Sequence, residues 1–466
     1  MSNAALNSPE AFAEDSFALE ERTDEAYADA ALPVEAPNDP LSQAYADQQA
    51  APAWGSEGDD LREKARPIPR ISIQAFCTQP QTAQVLQAVS QDRRLAKTHF
   101  AVQMGGIEAA VANYMEAPTP NLIVLESAKR GEEMVEDLDR LAEFCDADTR
   151  VVVIGHVNDV WLYRALVDRG VSDYMIAPVS PLQLMETISR LYHAPESEPV
   201  GNSFVFVGAR GGAGSSTVCH NTGWALSELL SMDVVIADLD LAFGTAGLDF
   251  NQDPVQGIAD ALVEPDRLDE VLLDRLLTKC TEHLSLFAAP SVLDREFQET
   301  SEAYEWVLDV VRQSVPYVVI DLPHVWTPWA RQQMMLADEI VVTSTPDLAS
   351  LRNTKNIVDL LNANRNNDRP PHLVLNMTKM PKRPEISAQD FSDALSLPVA
   401  MTVDFDPVTF GTASNNGQMI GEFQPKHKAS DQFRELALAL SNKSSPSKKS
   451  GGSLLAPLLS RFSSKK

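Results

Sequence analysis

The chain has 466 residues, a formal net charge of −28, and 44% apolar and 22% charged side chains. That length allows roughly two to four domains, and the composition is ordinary for globular protein. The acidic balance argues against general nucleic-acid binding, because a phosphate backbone attracts a basic surface.

The charge is unevenly placed. Residues 1–60 carry 14 Asp or Glu against one Arg, whereas residues 441–466 carry six Lys or Arg and no acid. Residues 1–66 hold too few large apolar side chains to offset their ordering entropy and are predicted to be a disordered acidic arm. Phe12, Phe17 and Leu19, set among acids, form a candidate docking motif; an inert tail is the plainer reading. The arm lacks a positive region ahead of an apolar core, so no secretory signal is predicted.

Residues 67–194 alternate short apolar runs with amphipathic stretches. Ile71–Phe76, Leu122–Leu125, Val151–Ile154 and Tyr174–Ile176 read as strands, and the alternation predicts a parallel sheet covered on both faces. Residues 195–200, with two Pro and two Glu, read as a linker. A second, larger α/β series occupies residues 201–440. Its strands are predicted at Phe204–Val207, Val234–Ala237, Leu284–Ala288, Tyr317–Ile320, Glu339–Thr343 and His372–Leu375, with helices such as Ser216–Leu230 and Glu302–Gln313 between them. The fold class expected is α/β, with two doubly wound domains. The basic tail, 441–466, ends in Leu454, Leu455, Leu458, Leu459 and Phe462, which recur on one face of a short helix. A weak contact with an anionic membrane and a disordered basic end stand as equal readings, since Pro457 interrupts the segment. The four cysteines (Cys77, Cys145, Cys219 and Cys280) are far apart and read as reduced thiols, with neither a disulfide framework nor a zinc site. No run of eighteen apolar residues suggests a spanning helix.

The most informative stretch is Phe204-Val-Phe-Val-Gly-Ala-Arg-Gly-Gly-Ala-Gly-Ser-Ser-Thr217. A buried strand runs into a Gly-rich loop that opens a helix. Gly211, Gly212 and Gly214 let backbone N–H groups converge on phosphate oxygens, and the helix N-terminus adds a favourable dipole. A Gly-rich turn without a ligand is the alternative. Two further strands end in carboxylates, Val234-Val-Ile-Ala-Asp-Leu-Asp240 and Tyr317-Val-Val-Ile-Asp321. Taken singly, such an Asp is more often a cap or turn residue than a metal ligand.

The first series resembles a response-regulator receiver, through Pro120-Asn-Leu-Ile-Val-Leu-Glu126 and Val171-Ser-Asp-Tyr-Met-Ile-Ala-Pro178. The departures remove the chemistry. The first strand runs into Cys77-Thr78 without an acidic pair, Glu126 replaces the phosphate-accepting Asp, Gly155 lies where a hydroxyl belongs, and Ala177 replaces the Lys. A phosphoryl group would have no charge compensation, so no phosphorylation is expected, and a docking or dimerisation module is. Glu126 is read as a solvent-facing carboxylate at a strand end, with mimicry of a phosphorylated state as the alternative.

The second series resembles the ParA/MinD family with its deviant Walker A loop. The resemblance implies that Arg210, Gly211, Gly212, Ala213, Gly214, Ser215, Ser216 and Thr217 bind ATP. Arg210 stands at the family's signature Lys, and Ser215 at the phosphate-cradling Lys, so one cation remains and binding should be weakened. Ser216 and Asp321 are implied as holders of Mg²⁺, Asp240 as the catalytic carboxylate that positions water, and Asn376 as a reader of adenine. Phe410-Gly-Thr-Ala-Ser-Asn-Asn-Gly-Gln-Met419 resembles the family's late A-x-N-x-G segment.

The two series together, with R-G-G-A-G-S-S-T and F-G-T-A-S-N-N-G-Q-M, resemble the CpaE/TadZ pilus-assembly family. That resemblance implies a cytoplasmic, polar protein that forms a nucleotide-dependent homodimer. Its implied partners are secretion components of type IVb (Flp/Tad) pili and a polar landmark protein. The expected role is an ATP-binding scaffold with weak or no hydrolysis. An active slow ATPase that positions cargo is the alternative, and a DNA-partitioning role is disfavoured by charge.

Overall fold

Five runs rich in β-branched and aliphatic residues pair in parallel in the first half of the chain. They are β1 (Ser72–Cys77), β2 (His99–Met104), β3 (Leu122–Ser127), β4 (Arg150–Gly155) and β5 (Asp173–Ile176). Their order is β2-β1-β3-β4-β5, the flavodoxin-type order of a doubly wound sheet. The central strand β3 is buried at all six positions, which is why it reads as an unbroken apolar run. Strand β2 escaped the sequence reading because it is an edge: none of its residues is buried, so His99 and Gln103 interrupt its pattern. Leu86, Leu184 and Ile188 pack helices Pro80–Ser90 and Pro181–Tyr192 on one face. Ile107, Leu138 and Leu162 pack three more helices on the other.

The second sheet contains β6 (Asn202–Gly208), β7 (Val234–Asp238), β8 (Thr278–Lys279), β9 (Leu284–Phe287), β10 (Tyr317–Asp321), β11 (Glu339–Ser344), β12 (His372–Thr378) and β13 (Val399–Asp404). Its order is β13-β12-β11-β6-β10-β7-β9-β8. All neighbours are parallel except the edge pair β8 and β9. The first strand in sequence, β6, therefore lies mid-sheet between β10 and β11, and the chain departs to both sides of it. A crevice at the carboxyl ends of such strands is where open α/β sheets take ligands. Helices Ser215–Leu230 and Lys428–Leu440 cover one face, and Ile258–Val263, Ser301–Ser314 and Pro328–Leu336 the other.

This computed structural model describes residues 61, 65–192, 200–290 and 300–443. Apart from residues at their margins, the expected acidic arm, linker and basic tail lie outside the described residues, as do Phe12, Phe17, Leu19 and the Leu454–Phe462 cluster. Among the described residues no helix is long and apolar enough to cross a membrane.

Both sheets belong to the unit Gly55–Lys466, and a buried ionic cluster joins the two lobes. The turn Arg93–Leu95 of the flavodoxin-type lobe supplies two guanidinium groups. Arg93 Nε is 2.7 Å from Asp368 Oδ2 and its Nη1 is 3.2 Å from Asp338 Oδ1. Arg94 Nη2 is 2.7 Å from Asp368 Oδ1. Within the larger lobe, Arg312 pairs with Asp338 and Arg365 with Asp368, at 2.7 and 2.9 Å.

Candidate functional site

The loop Ala209–Gly214 leaves β6 and enters helix Ser215–Leu230 with two residues in the left-handed region, Gly212 at φ 78° and Gly214 at φ 83°. Gly214 is also where the helix starts, and no side chain caps it. The first N–H groups of this helix are thus left to an incoming acceptor, which at a positive helix end is best an anion. A Cβ at Gly214 would lie 2.3 Å from Asn376 Nδ2, whereas one at Gly212 would meet nothing within 4 Å.

Asn376, implied by the resemblance as a reader of adenine, also holds the loop. Its Nδ2 donates to Ala213 O at 2.9 Å, and its Oδ1 accepts from Met377 N–H. Each end of the amide makes one contact, so Asn376 clamps the loop and keeps a second N–H and a second lone pair free of these two bonds. Arg210 is 46% exposed and its Nη1 lies 3.5 Å from Asp347 Oδ2. Asp347 in turn accepts from Ser350 N–H, capping helix Leu348–Asn364. Asn353 on that helix donates to Ala209 O at 2.9 Å, so the loop is held from both β12 and this helix.

Ser215, where the resemblance places a Lys, keeps its Oγ buried and without a partner. Thr343 Oγ1 and Asp321 Oδ1 share that condition. Thr343 lies level with Gly208, and Asp321 with Phe206, on the two sides of the strand that leads into the loop. A buried polar group left unsatisfied costs about 1–3 kcal/mol. Three such atoms lie on the helix and strands that flank this loop.

Behind the loop stands a carboxylate pair. Asp321, ending β10, is level with Phe206 of β6 and with Asp238 of β7. Burial and the neighbouring Asp321 charge push Asp238 up to about 7, opposed by His220 and by the amides of Ala246 and Asp240. Asp240 is only half-buried; its N–H donates to Asp238 Oδ1 and its Oδ1 accepts from Phe243 N–H.

Sequence reasoning missed His220. Its ring is fully buried, with Nδ1 2.8 Å from Asp249 Oδ2 and Nε2 3.4 Å from Asp321 Oδ2. The second distance is that of an ion pair; the orientation is not that of a directed hydrogen bond. Burial opposes its charge, but Asp249 and Asp321 outweigh that and raise its pKa to about 10, which favours an imidazolium between those two carboxylates. The ligand atoms of Cys219, His220 and Asp321 lie within 4.8 Å of one another, but the protonated ring serves as a cation there. The legible signal was spacing: position 220 follows Ser216 by four, hence on the same helix face. The remaining oxygens fit a hard divalent cation. Asp321 Oδ1 is buried and unpartnered, Ser216 stands in the helix's first turn, and carboxylate and hydroxyl oxygens suit Mg²⁺.

In the flavodoxin-type lobe the expectation of a solvent-facing Glu126 is overturned. Glu126 is 1% exposed. Its carboxylate accepts from the N–H groups of Thr78 and Gln79, both at 2.8 Å, and from Thr82 Oγ1 at 2.6 Å, with His156 Nε2 at 3.2 Å. Burial works against the charge, but the Thr82 hydroxyl and the two amides outweigh it and lower the pKa. At Gly155 a Cβ would fall 2.1 Å from the Tyr174 hydroxyl, so the ring occupies that corner. Cys77, beside Glu126, is a thiol pushed up to about 12 by burial and by that carboxylate.

Comparison with known proteins bears on both lobes. The crystal structure of a pilus assembly protein CpaE from Caulobacter crescentus is 43% identical, over 28% of this chain and 98% of that one, with a TM-score of 0.27. The chain belongs to the CpaE family. A putative CpaE2 pilus assembly protein from Sinorhizobium meliloti is 36% identical over 26% of this CpaE-family chain and 98% of its own, with a TM-score of 0.25. These two cover the N-terminal part. The larger lobe carries the ParA/MinD relationship. Residues 202–405 match the family model of cellulose biosynthesis protein BcsQ. The septum site-determining protein MinD of Bacillus subtilis is 26% identical over 53% of this chain and 91% of its own length. The CpaE-family chain is therefore a ParA/MinD-type P-loop protein.

Proposed function

We propose that this protein is an ATP-binding assembly and localisation factor for a type IVb pilus secretion apparatus. It acts as a nucleotide-controlled homodimer with weak or no hydrolysis. The observation that carries the reading is the uncapped helix start at Gly214, with the unpartnered polar atoms of Ser215, Thr343 and Asp321 on the elements around it. Main-chain N–H groups there take the phosphates, and Arg210 supplies the one mobile cation of the loop. Ser216 and Asp321 would hold Mg²⁺, which neutralises phosphate charge when bound. With Ser215 in place of an ammonium, the transferring phosphoryl group lacks one source of charge compensation, so hydrolysis is slow or absent.

A second copy is the natural cover for the loop face. Phe243, Trp326 and Leu348 are 75%, 63% and 74% exposed, and each follows a site residue closely in sequence: Asp240, Asp321 and Asp347. Large exposed apolar groups around a polar site support a protein partner. The flavodoxin-type lobe, its acceptor position filled by the internally bonded Glu126, serves as a docking module for a polar landmark and the pilus machinery and takes no phosphoryl group.

Calorimetry with ATP and ADP, with and without Mg²⁺, tests the nucleotide reading, and light scattering tests the dimer. Binding in the micromolar to low millimolar range with nucleotide-dependent dimerisation is expected. No heat at millimolar ATP would end the proposal. Turnover that is fast in wild type and abolished in Asp240→Ala would favour the active ATPase instead.

A further inference from the structure

Two stiff elements connect the lobe interface to the nucleotide loop. Helix Leu348–Asn364 begins at Asp347, the partner of Arg210, and its Asn353 holds Ala209 O at 2.9 Å. The residues just beyond its other end grip the flavodoxin-type lobe. Asn367 Nδ2 donates to Asp92 Oδ2 at 2.9 Å, and Asp368 receives both Arg93 and Arg94. Seventeen residues at about 1.5 Å each make a rod about 25 Å long.

Strand β6 makes the same journey. At its start, the N–H and hydroxyl of Ser203 both donate to Asp338 Oδ2, at 2.9 and 3.1 Å. At its finish, Gly208 opens the loop. Asp338 also receives Arg93 across the lobe boundary. The two carboxylates that anchor the flavodoxin-type lobe therefore anchor both elements that carry the loop.

The two ends differ in firmness. At the loop end, Arg210 is half-exposed and tied by one 3.5 Å contact. At the interface end, the Arg93, Arg94, Arg365 and Asp368 side chains are each under 10% exposed. A buried ion pair cannot slide without leaving a charge unpaired at low dielectric. Movement of the loop on filling is thus passed along the rod instead of being absorbed at its base.

We propose that the flavodoxin-type lobe sets the affinity of the nucleotide loop through helix Leu348–Asn364 and β6. Nucleotide occupancy and the grip of Arg93 and Arg94 on Asp368 are two ends of one equilibrium. This rests on the nucleotide reading above. A partner that docks on the first lobe would then tune the loop, and by linkage the filled loop would tune docking.

The test uses the full chain. Backbone hydrogen exchange is compared with and without ATP, and ATP affinity is measured in Asn367→Ala, Arg94→Lys and Lys97→Ala. Lys97 reaches across the same boundary to Glu305 and Asp309 but touches neither strut, so it is the control. Exchange at residues 92–96 is expected to slow on ATP addition. Affinity is expected to shift about five-fold or more in the first two variants and to stay within about two-fold in the third. A purely structural interface would lower thermal stability in all three and leave affinity alone, which overturns the coupling, as does movement of only one of the two readouts. Should a variant fail to fold, exchange in wild type still decides. Wild type that binds no nucleotide sinks this proposal together with the previous one. Wild type that binds, with exchange at 92–96 unaltered, sinks the coupling alone.

Discussion

Arg93 Nε lies 2.7 Å from Asp368 Oδ2, an ion pair between residues 275 positions apart that joins the two lobes. Both side chains are nearly buried, at 9% and 5% exposure. Removing Arg93 takes one guanidinium from each of two carboxylates, while Asp368 keeps Arg94 and Arg365 and Asp338 keeps Arg312. Arg93→Ala is therefore expected to destabilise by about 1.5–3 kcal/mol, the worth of lost hydrogen bonds to a charged group, read from urea denaturation. The double variant Arg93→Ala/Asp368→Ala should cost less than the sum of the singles; strict additivity would show that the contact is not energetically real.

The same cluster predicts acid lability. Burial opposes the charge on Asp338, but Arg312, Arg93 and the Ser203 amide win and hold it down to about 2. Asp368 is held well below the usual carboxylate range by Arg93, Arg94 and Arg365, again against burial. A folded pKa below the unfolded value of about 3.9 contributes stability that is complete above that value. It is lost as pH falls through the folded pKa. Thermal midpoints should change little with pH on account of this cluster from 7 to about 5, and drop steeply from about 4 towards 2. Asp338→Asn should flatten part of that slope, and an unchanged slope would contradict the assignment.

Gly212 and Gly214 share a left-handed backbone and differ in their surroundings. Gly212→Ala meets open space and should cost about 1 kcal/mol through backbone strain alone. Gly214→Ala adds a collision with Asn376 Nδ2 and should cost more, while abolishing nucleotide binding. Equal effects on binding from the two variants would count against the clamp by Asn376.

Ser215 offers a gain-of-function experiment. Ser215→Lys adds an ammonium at the first residue of the loop's helix, and charge-assisted contacts to phosphate are worth about 1.5–3 kcal/mol. ATP affinity should rise about ten-fold or more by calorimetry. A lysine variant that is folded but binds no tighter would mean that phosphates do not lie over this helix start.

Glu126→Ala should cost about 2–4 kcal/mol, because the Thr78 and Gln79 amides and the Thr82 hydroxyl lose a charged acceptor. A thermal shift assay on the whole chain reads it. A solvent-facing carboxylate would give a change near zero.

The sequence by itself determined the doubly wound folds and the position of the Gly-rich loop between β6 and its helix. Those rest on local signals: apolar runs such as Leu122–Leu125 and Phe204–Val207, and glycines spaced before a helix. Strands β2, β8 and β13 were illegible, since an edge strand has one side free of the core and need not carry an apolar run. Only the tertiary structure decided what the polar residues do. Glu126 read as exposed because strand ends usually are, and it is buried only because Thr78, Gln79 and Thr82 converge on it from another element. His220, Asn376 and Arg93 likewise take their roles from partners 29 to 275 residues away. A side chain's charge state and bonding depend on what surrounds it in space, and local spacing carries no record of that.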